Sequence, residues 1–155
     1  QLGLASISFL PADLSSDAFS HDNEWIASDA PATLIPSAAQ LQQFERDVSL
    51  VEQAGDAGGF VVESAPRLRR IAAYYRALLG TGDLPPVSCN APWVSVVIET
   101  DGRVRPCFFH APYPGGIRGR DINTVINSVD AIAFRQGLDV ASDVVCRSCV
   151  CTLTL

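Results

Sequence analysis

Five cysteines are the residues of this chain best suited to chemistry, and all of them lie in its last 67 residues. They are Cys89, Cys107, Cys146, Cys149 and Cys151. The odd number argues against a secreted disulfide framework, which favours even counts. Reduced thiols collected for a metal fit the pattern better, and they imply a reducing, cytoplasmic setting.

Four of these cysteines can supply a metal site made only of sulfur. Cys146 and Cys149 form a CxxC, whose tight turn directs two sulfurs at one centre. Cys89 precedes a predicted hairpin and Cys107 lies on its predicted return strand, and pairing across the hairpin brings residues distant in sequence together. Because four thiolates select zinc or an iron–sulfur cluster, we predict these four as metal ligands. Cys151 is either an alternate ligand for one of the CxxC pair or a spare thiol near the metal.

The spacing of the first two cysteines favours one of these metals. Structural zinc usually takes two compact knuckles, each a CxxC-like pair. Here 17 residues separate Cys89 from Cys107, and a 4Fe–4S cluster is wide enough to accept ligands from separated elements. The pattern therefore favours a cluster. A zinc site and a set of buried, inert cysteines remain as alternatives.

The elements that must position these sulfurs follow a turn-rich stretch, residues 81–88, which predicts a boundary within the chain. Beyond it, Asp101-Gly102 predicts a hairpin turn between β-rich segments at 93–98 and 103–109. Two short helices are predicted before the CxxC, over residues 122–127 and 129–138. The cysteines thus belong to a small α+β arrangement of a hairpin and helices.

The first part of the chain has a different pattern. Residues 2–10 predict a buried strand and residues 60–63 a second, shorter one. A capping box beginning at Ser37 predicts one helix, and a proline-initiated start at Ser64 predicts another. Alternating strands and helices are typical of a parallel α/β layer. Two strands do not complete such a sheet, so we expect residues 1–80 to be a slice of a larger α/β structure.

The stretch CNAPWVSVVIETDGRVRPC, followed by CRSC, resembles the C-terminal Twitch or SPASM extension of radical S-adenosylmethionine enzymes. That family pattern is a cysteine, nine to fifteen residues, a glycine, four residues, a cysteine and a later CxxC. Cys89, Gly102, Cys107, Cys146 and Cys149 fall on it. The single-cluster Twitch form is the better match, because few residues follow the CxxC here.

This resemblance implies a C-terminal slice of a partial (β/α) barrel at residues 1–80, followed by an auxiliary cluster-binding module at residues 81–155. It implies one auxiliary 4Fe–4S cluster, with S-adenosylmethionine and a second 4Fe–4S cluster in the full-length protein. The CxxxCxxC motif that holds that second cluster is absent from this sequence, and so is any methionine. We therefore expect the C-terminal part of a longer protein, and a chain that alone does not generate the radical.

The resemblance also implies a parent oxidoreductase that modifies a peptide, a protein or a small molecule by radical chemistry. Its electrons would come from a donor protein such as flavodoxin or ferredoxin. The alternative is a non-catalytic zinc- or cluster-binding interaction module. A net charge of −6 without a basic stripe argues against nucleic acid. No apolar run approaches the roughly 20 residues that span a bilayer, so no membrane partner is expected.

Other side chains near the cysteines have two interpretations each. Three arginines flank the ligands: Arg103, Arg105 and Arg147. They either raise the reduction potential of the cluster or form a solvated face. Trp93 and Phe108 are expected to pack over the cluster and exclude water, with substrate binding as the alternative. His110 is a candidate ligand or proton donor, or else a structural residue.

Polar residues near the predicted strand ends of the first part form a second candidate set. They are Asp13, Asp17, His21, Asp22 and Glu63. Because α/β barrels place their chemistry at the carboxyl ends of their strands, these residues are candidates to face substrate. The resemblance implies that S-adenosylmethionine contacts the backbone near Glu63. A solvated loop is the alternative for the first four.

Overall fold

Contacts divide the described part of the chain into two units. The computed structural model describes residues 3–14, 16, 23–55 and 59–151. Of these, one unit comprises residues 3–14 and 23–85, and the other comprises residue 16 and residues 86–151. The division after Pro85 lies within the turn-rich stretch at residues 81–88.

The described helices of the first unit are α1 (Asn23–Ala27), α2 (Ala30–Thr33), α3 (Ala38–Gln53) and α4 (Ala65–Leu78). Helix α3 begins at the predicted capping box, in which Ser37 Oγ accepts from the Gln40 N–H and Gln40 Oε1 accepts from the Ser37 N–H. Helices α3 and α4 pack together. Leu41 and Val48 of α3 are buried, as is Leu68 of α4.

The strands predicted in this unit are reduced to one isolated parallel bridge between Ile7 and Val61. The Ile7 N–H donates to the Phe60 carbonyl (2.7 Å), and the Val62 N–H donates to the Ile7 carbonyl (2.9 Å). Apart from half-buried Ile7, residues 3–10 are exposed. The predicted buried strand at 2–10 is therefore wrong over its described residues, because a buried parallel strand needs covered faces and neighbours on both edges.

The second unit is a small α+β arrangement around a two-stranded antiparallel sheet, as predicted for this part of the chain. Its described elements are α5 (Ala91–Val94), β1 (Val97–Ile98), β2 (Val104–Arg105), α6 (Ile122–Ile126), α7 (Val129–Gly137) and α8 (Val144–Arg147). In the sheet, Val97 lies opposite Arg105 and Ile98 opposite Val104. In neither unit is any described helix both long enough and apolar enough to cross a membrane.

Both strands of the hairpin are shorter than the sequence predicted. Trp93 belongs to helix α5 and not to a strand, because Pro92 in the first turn favours helical geometry over β-propensity. The return strand ends at Arg105, since Pro106 has no N–H to continue the ladder. The two helices predicted after the hairpin are confirmed as α6 and α7.

A compact apolar core joins the hairpin to the helices that follow it. Its buried members are Val104, Tyr113, Val125 and Ala131, with Val96, Ile117, Ile122, Ile126 and Phe134 packed against them. Asp121 and Ser128 fix the starts of the two helices by accepting backbone N–H donors at Asn123 and Ala131. This core holds strand β2 and helices α6 and α7 together next to the cysteines.

Val125 is fully buried in this core, so its truncation should destabilise the second unit. We expect Val125→Ala to lower the free energy of unfolding by about 2 kcal/mol, from two lost methyl groups and the cavity they leave. Val129→Ala is the matched control, because Val129 is 84% exposed. Its effect should stay within about 0.5 kcal/mol. If chemical denaturation showed the same loss of unfolding free energy for both variants, the burial of Val125 in this core would be contradicted.

Candidate metal centre

All five cysteines are free thiols and each is half-buried. Cys89 lies just before helix α5, and Cys107 lies two residues after strand β2. Cys146 is within helix α8, and Cys149 and Cys151 follow its end. Three separate elements of the second unit therefore present the sulfurs.

The hairpin turn before Cys107 depends on Gly102. Its φ of 87° lies in the region that side chains disfavour, and an added Cβ would approach Arg118 Cγ to 3.0 Å. Asp101 completes the turn, because its Oδ1 accepts the Arg103 N–H at 2.9 Å. The turn places Cys107 on the returning chain, which explains why a glycine must precede this cysteine at a fixed spacing.

The CxxC turn is built around the start of helix α8. Asp143 Oδ1 accepts from the N–H groups of Val145 (3.0 Å) and Cys146 (2.9 Å), which fixes the N-terminus of the helix. The Cys149 N–H donates to the Cys146 carbonyl at 3.0 Å. These bonds hold the chain in the tight turn that the CxxC spacing predicted.

The thiols of the second unit affect one another electrostatically. Burial raises the pKa of Cys107, and the neighbouring Cys89 raises it further. Burial, Asp143 and the Cys107 and Cys149 thiols raise the pKa of Cys146 to about 12. Burial raises the pKa of Cys149 to about 12, with contributions from Cys151, Cys107 and Cys89. These mutual effects link Cys107, Cys146 and Cys149 to neighbouring thiols, and a single centre for the sulfurs stays a prediction.

This sulfur cluster fits a metal centre. Deprotonating several half-buried thiols side by side is unfavourable in the absence of a cation, as the raised pKa values of Cys107, Cys146 and Cys149 indicate. Bound metal ions supply the positive charge that offsets this cost. A set of thiolates suits zinc or an iron–sulfur cluster. Which four of the five cysteines bind metal stays a prediction.

His110 lies beside Cys146, with its Nε2 3.4 Å from the sulfur. The ring is buried, and its edge packs against Phe134 at 5.0 Å between centroids. Asp143 Oδ1 lies 3.6 Å from the same nitrogen. Potential ligand atoms of His110, Asp143 and Cys146 are all within 4.8 Å of one another. The sequence left the role of His110 open and did not identify Asp143, although an Asp three residues before a helical Cys is an N-cap pattern.

The flanking arginines differ in burial. Arg105 is buried, its Nε contacts Glu99 Oε1 at 2.5 Å, and its Nη1 donates to the His110 carbonyl at 3.1 Å. The solvated-face interpretation is therefore wrong for Arg105. Arg103 is exposed and pairs with Glu99 and Asp101, and Arg147 is exposed. Sequence reasoning did not identify Glu99, which pairs with both hairpin arginines.

The two aromatic residues expected to shield the metal centre are only partly covered. Trp93 is 47% exposed and Phe108 is 51% exposed. Both belong to the second unit, near Cys89 and Cys107 in sequence. Their shielding role stays a prediction, since half of each side chain remains in contact with solvent.

The candidate residues of the first unit form no comparable cluster among the described side chains. Asp13 is buried, so a solvated loop does not describe it. Glu63 accepts from Ser8 Oγ (2.5 Å) and from the Phe9 N–H (2.8 Å). Desolvation acts to raise the pKa of Glu63, but these hydrogen bonds outweigh it and lower that pKa. The remaining candidates, Asp17, His21 and Asp22, lie outside the described residues.

Comparison with known proteins identifies the second unit. Residues 89–150 match the family model of SPASM, an iron–sulfur cluster-binding domain. The matched segment begins at Cys89 and includes Cys107, Cys146 and Cys149, while Cys151 lies just beyond it. Neither the curated proteins nor the solved structures gave a match to this chain. The family match agrees, over residues 89–150, with the resemblance to the SPASM family that the cysteine spacing indicated.

Proposed function

We propose that this chain holds one auxiliary 4Fe–4S cluster through Cys89, Cys107, Cys146 and Cys149, as the C-terminal portion of a radical S-adenosylmethionine enzyme. The observation that supports the proposal is that these half-buried, free thiols all lie within a segment matching the SPASM family. A 4Fe–4S cluster takes four cysteine thiolates, which this set supplies. Cys151 then lies beside the cluster without binding iron.

The residues around the sulfurs have supporting roles in this proposal. Asp143 holds the turn that presents Cys146, through its two backbone hydrogen bonds. Arg105 adds a buried positive charge, and it lowers the pKa of Cys107 against the dominant effect of burial. A cluster bound here supplies electron transfer or anchors substrate. The protein's part is to hold the thiolates, to restrict water and to place positive charge near them.

The wider proposal concerns a longer parent protein. In it, residues 1–80 are the last strand–helix units of a partial (β/α) barrel that binds S-adenosylmethionine and a second 4Fe–4S cluster. The parallel bridge between Ile7 and Val61, with helix α3 between them in the chain, supports this arrangement. The substrate is a peptide, a protein or a small molecule, and flavodoxin or ferredoxin supplies electrons. Five free thiols favour a reducing compartment, the cytoplasm.

Metal and sulfide analysis tests the proposed cluster. The full chain, reconstituted anaerobically with iron and sulfide, should hold about four iron and four sulfide per chain, because four thiolates complete one cube. Broad visible absorption should appear and should bleach on reduction. Stoichiometric zinc without sulfide, in protein offered both metals, would overturn the cluster assignment.

Zinc binding is the second candidate, and it rests on a different set of side chains. His110, Asp143 and Cys146 offer ligand atoms within 4.8 Å of one another, and mixed nitrogen, oxygen and sulfur ligands suit zinc. In that case the chain is a non-catalytic interaction module. His110→Ala would then abolish zinc binding, whereas the cluster proposal predicts that this variant still binds iron and sulfide.

A further inference from the structure

One nitrogen of a buried histidine faces two acceptors in the metal centre. His110 Nε2 lies 3.4 Å from Cys146 Sγ, within the range of a hydrogen bond to sulfur, and 3.6 Å from Asp143 Oδ1. An iron-bound thiolate is an acceptor only, so in the cluster-loaded protein this nitrogen meets the sulfur favourably only when it carries a proton. Cluster binding therefore favours the tautomer with its proton on Nε2.

The histidine is held in this position from two sides. Its backbone carbonyl accepts from Arg105 Nη1 at 3.1 Å, and Arg105 is fixed in turn by Glu99. Its ring meets Phe134 edge-on, with an interplanar angle of 71°. Only 8% of His110 is exposed, so water does not compete strongly for the ring nitrogen. A donor held this firmly keeps its orientation when the charge of its acceptor changes.

We propose that His110 donates a hydrogen bond from Nε2 to the Cys146 sulfur of the cluster-loaded protein and so raises the reduction potential of the cluster. The proposal rests on the proposed function. One-electron reduction adds negative charge to the cluster and its thiolates, so an N–H donor stabilises the reduced state more than the oxidised state. His110 is thus a positioning and tuning residue that binds no iron itself.

Asp143 is not a better acceptor than the sulfur. Its Oδ1 already accepts two backbone N–H groups, from Val145 and Cys146, which use the lone pairs of that oxygen. The sulfur is the nearer acceptor, and as an iron-bound thiolate it keeps its negative charge. The donor is therefore directed at Cys146, 36 residues away in the sequence.

Redox titration of the full, cluster-loaded chain tests the proposal, with dithionite as the electron donor. His110→Phe keeps a ring against Phe134 but removes the donor. In His110→Phe we expect the ratio of reduced to oxidised cluster at a fixed applied potential to fall about tenfold. This corresponds to a reduction potential of the cluster that is lower by about 59 mV for one electron. His110→Gln loses the ring but keeps an N–H donor, so it should recover part of the shift.

The outcomes separate a hydrogen-bonding role from a packing role. Equal shifts in the two variants, or a shift in neither, would overturn the proposal while leaving the cluster in place. Phe134→Leu is the matched packing control, because it removes the ring contact and keeps the imidazole donor. It should change the potential much less than His110→Phe does.

A spectroscopic measurement on the unmodified sequence covers the case in which the phenylalanine variant binds no cluster. The chain has two histidines, so ¹⁵N-histidine labelling places few labels, and His21→Gln identifies the contribution of His110. Pulsed EPR of the reduced cluster should show a ¹⁵N coupling from His110. A loaded cluster without this coupling would overturn the hydrogen bond alone. Failure of the unmodified chain to incorporate sulfide would instead overturn the proposed function, and this inference with it.

Discussion

Cys107→Ala is expected to remove most of the iron and sulfide from the reconstituted chain, and the same result is expected at Cys89, Cys146 and Cys149. Each substitution leaves three of the four proposed ligands, which is one too few for a cube with four protein ligands. Metal-binding free energy contributes directly to folding. In each variant the second unit should therefore also unfold at a lower denaturant concentration than in the cluster-loaded chain without the substitution. Iron and sulfide assays with a denaturation curve measure both effects.

Cys151→Ala is the matched control for these substitutions. Cys151 is also half-buried, and it lies close enough to influence the pKa of Cys149. Its contact with the Cys149 thiol uses its backbone carbonyl, at 3.0 Å, which an alanine retains. Most of the iron should therefore stay in place. Loss of iron in Cys151→Ala with retention in Cys149→Ala would show that Cys151 is the ligand.

Glu99→Ala is expected to destabilise the second unit by about 3 kcal/mol, since it removes the Glu99 carboxylate from the buried Arg105 guanidinium. The Arg105 side chain is 6% exposed. The lost free energy of unfolding should lie at the low end of the range for broken buried ion pairs, because the Glu99 side chain is 24% exposed. Denaturation followed by Trp93 fluorescence reports on this unit, and Trp25→Phe removes the only other tryptophan from the signal.

Two comparison variants separate this buried pair from the exposed one beside it. Arg103 also contacts Glu99, but its side chain is 53% exposed, so Arg103→Ala should cost less than about 1 kcal/mol. The double variant Glu99→Leu/Arg105→Leu removes both charges and should be more stable than Glu99→Ala, because the buried Arg105 charge is removed together with Glu99. If Arg103→Ala lost as much unfolding free energy as Glu99→Ala, burial would not explain why the Arg105–Glu99 pair contributes more than the Arg103–Glu99 pair.

Features controlled by neighbouring residues could be predicted from the sequence. Helix α3 begins at the predicted capping box of Ser37, because a cap acts over three residues. Asp101 and Gly102 form the predicted hairpin turn for a similar reason. The cysteine spacing indicated the SPASM family, which the match confirms, since ligands on a turn and a hairpin require set distances along the chain.

Features that depend on distant partners could not be predicted in this way. The predicted strand at residues 2–10 contributes a single bridge among its described residues, because strand formation depends on what lies at both edges of the strand. Burial of Arg105 depends on Glu99 across the hairpin, and an arginine by itself indicates no such partner.

The sequence by itself determined the number, type and spacing of the sulfurs in this protein, and therefore the class of metal centre they suit. Only the tertiary structure decided what surrounds them. His110 meets Cys146 while its ring packs against Phe134, which belongs to the core around Val104 and Val125. No local pattern encodes that approach across 36 residues, since it follows from how the apolar side chains of the second unit share one core.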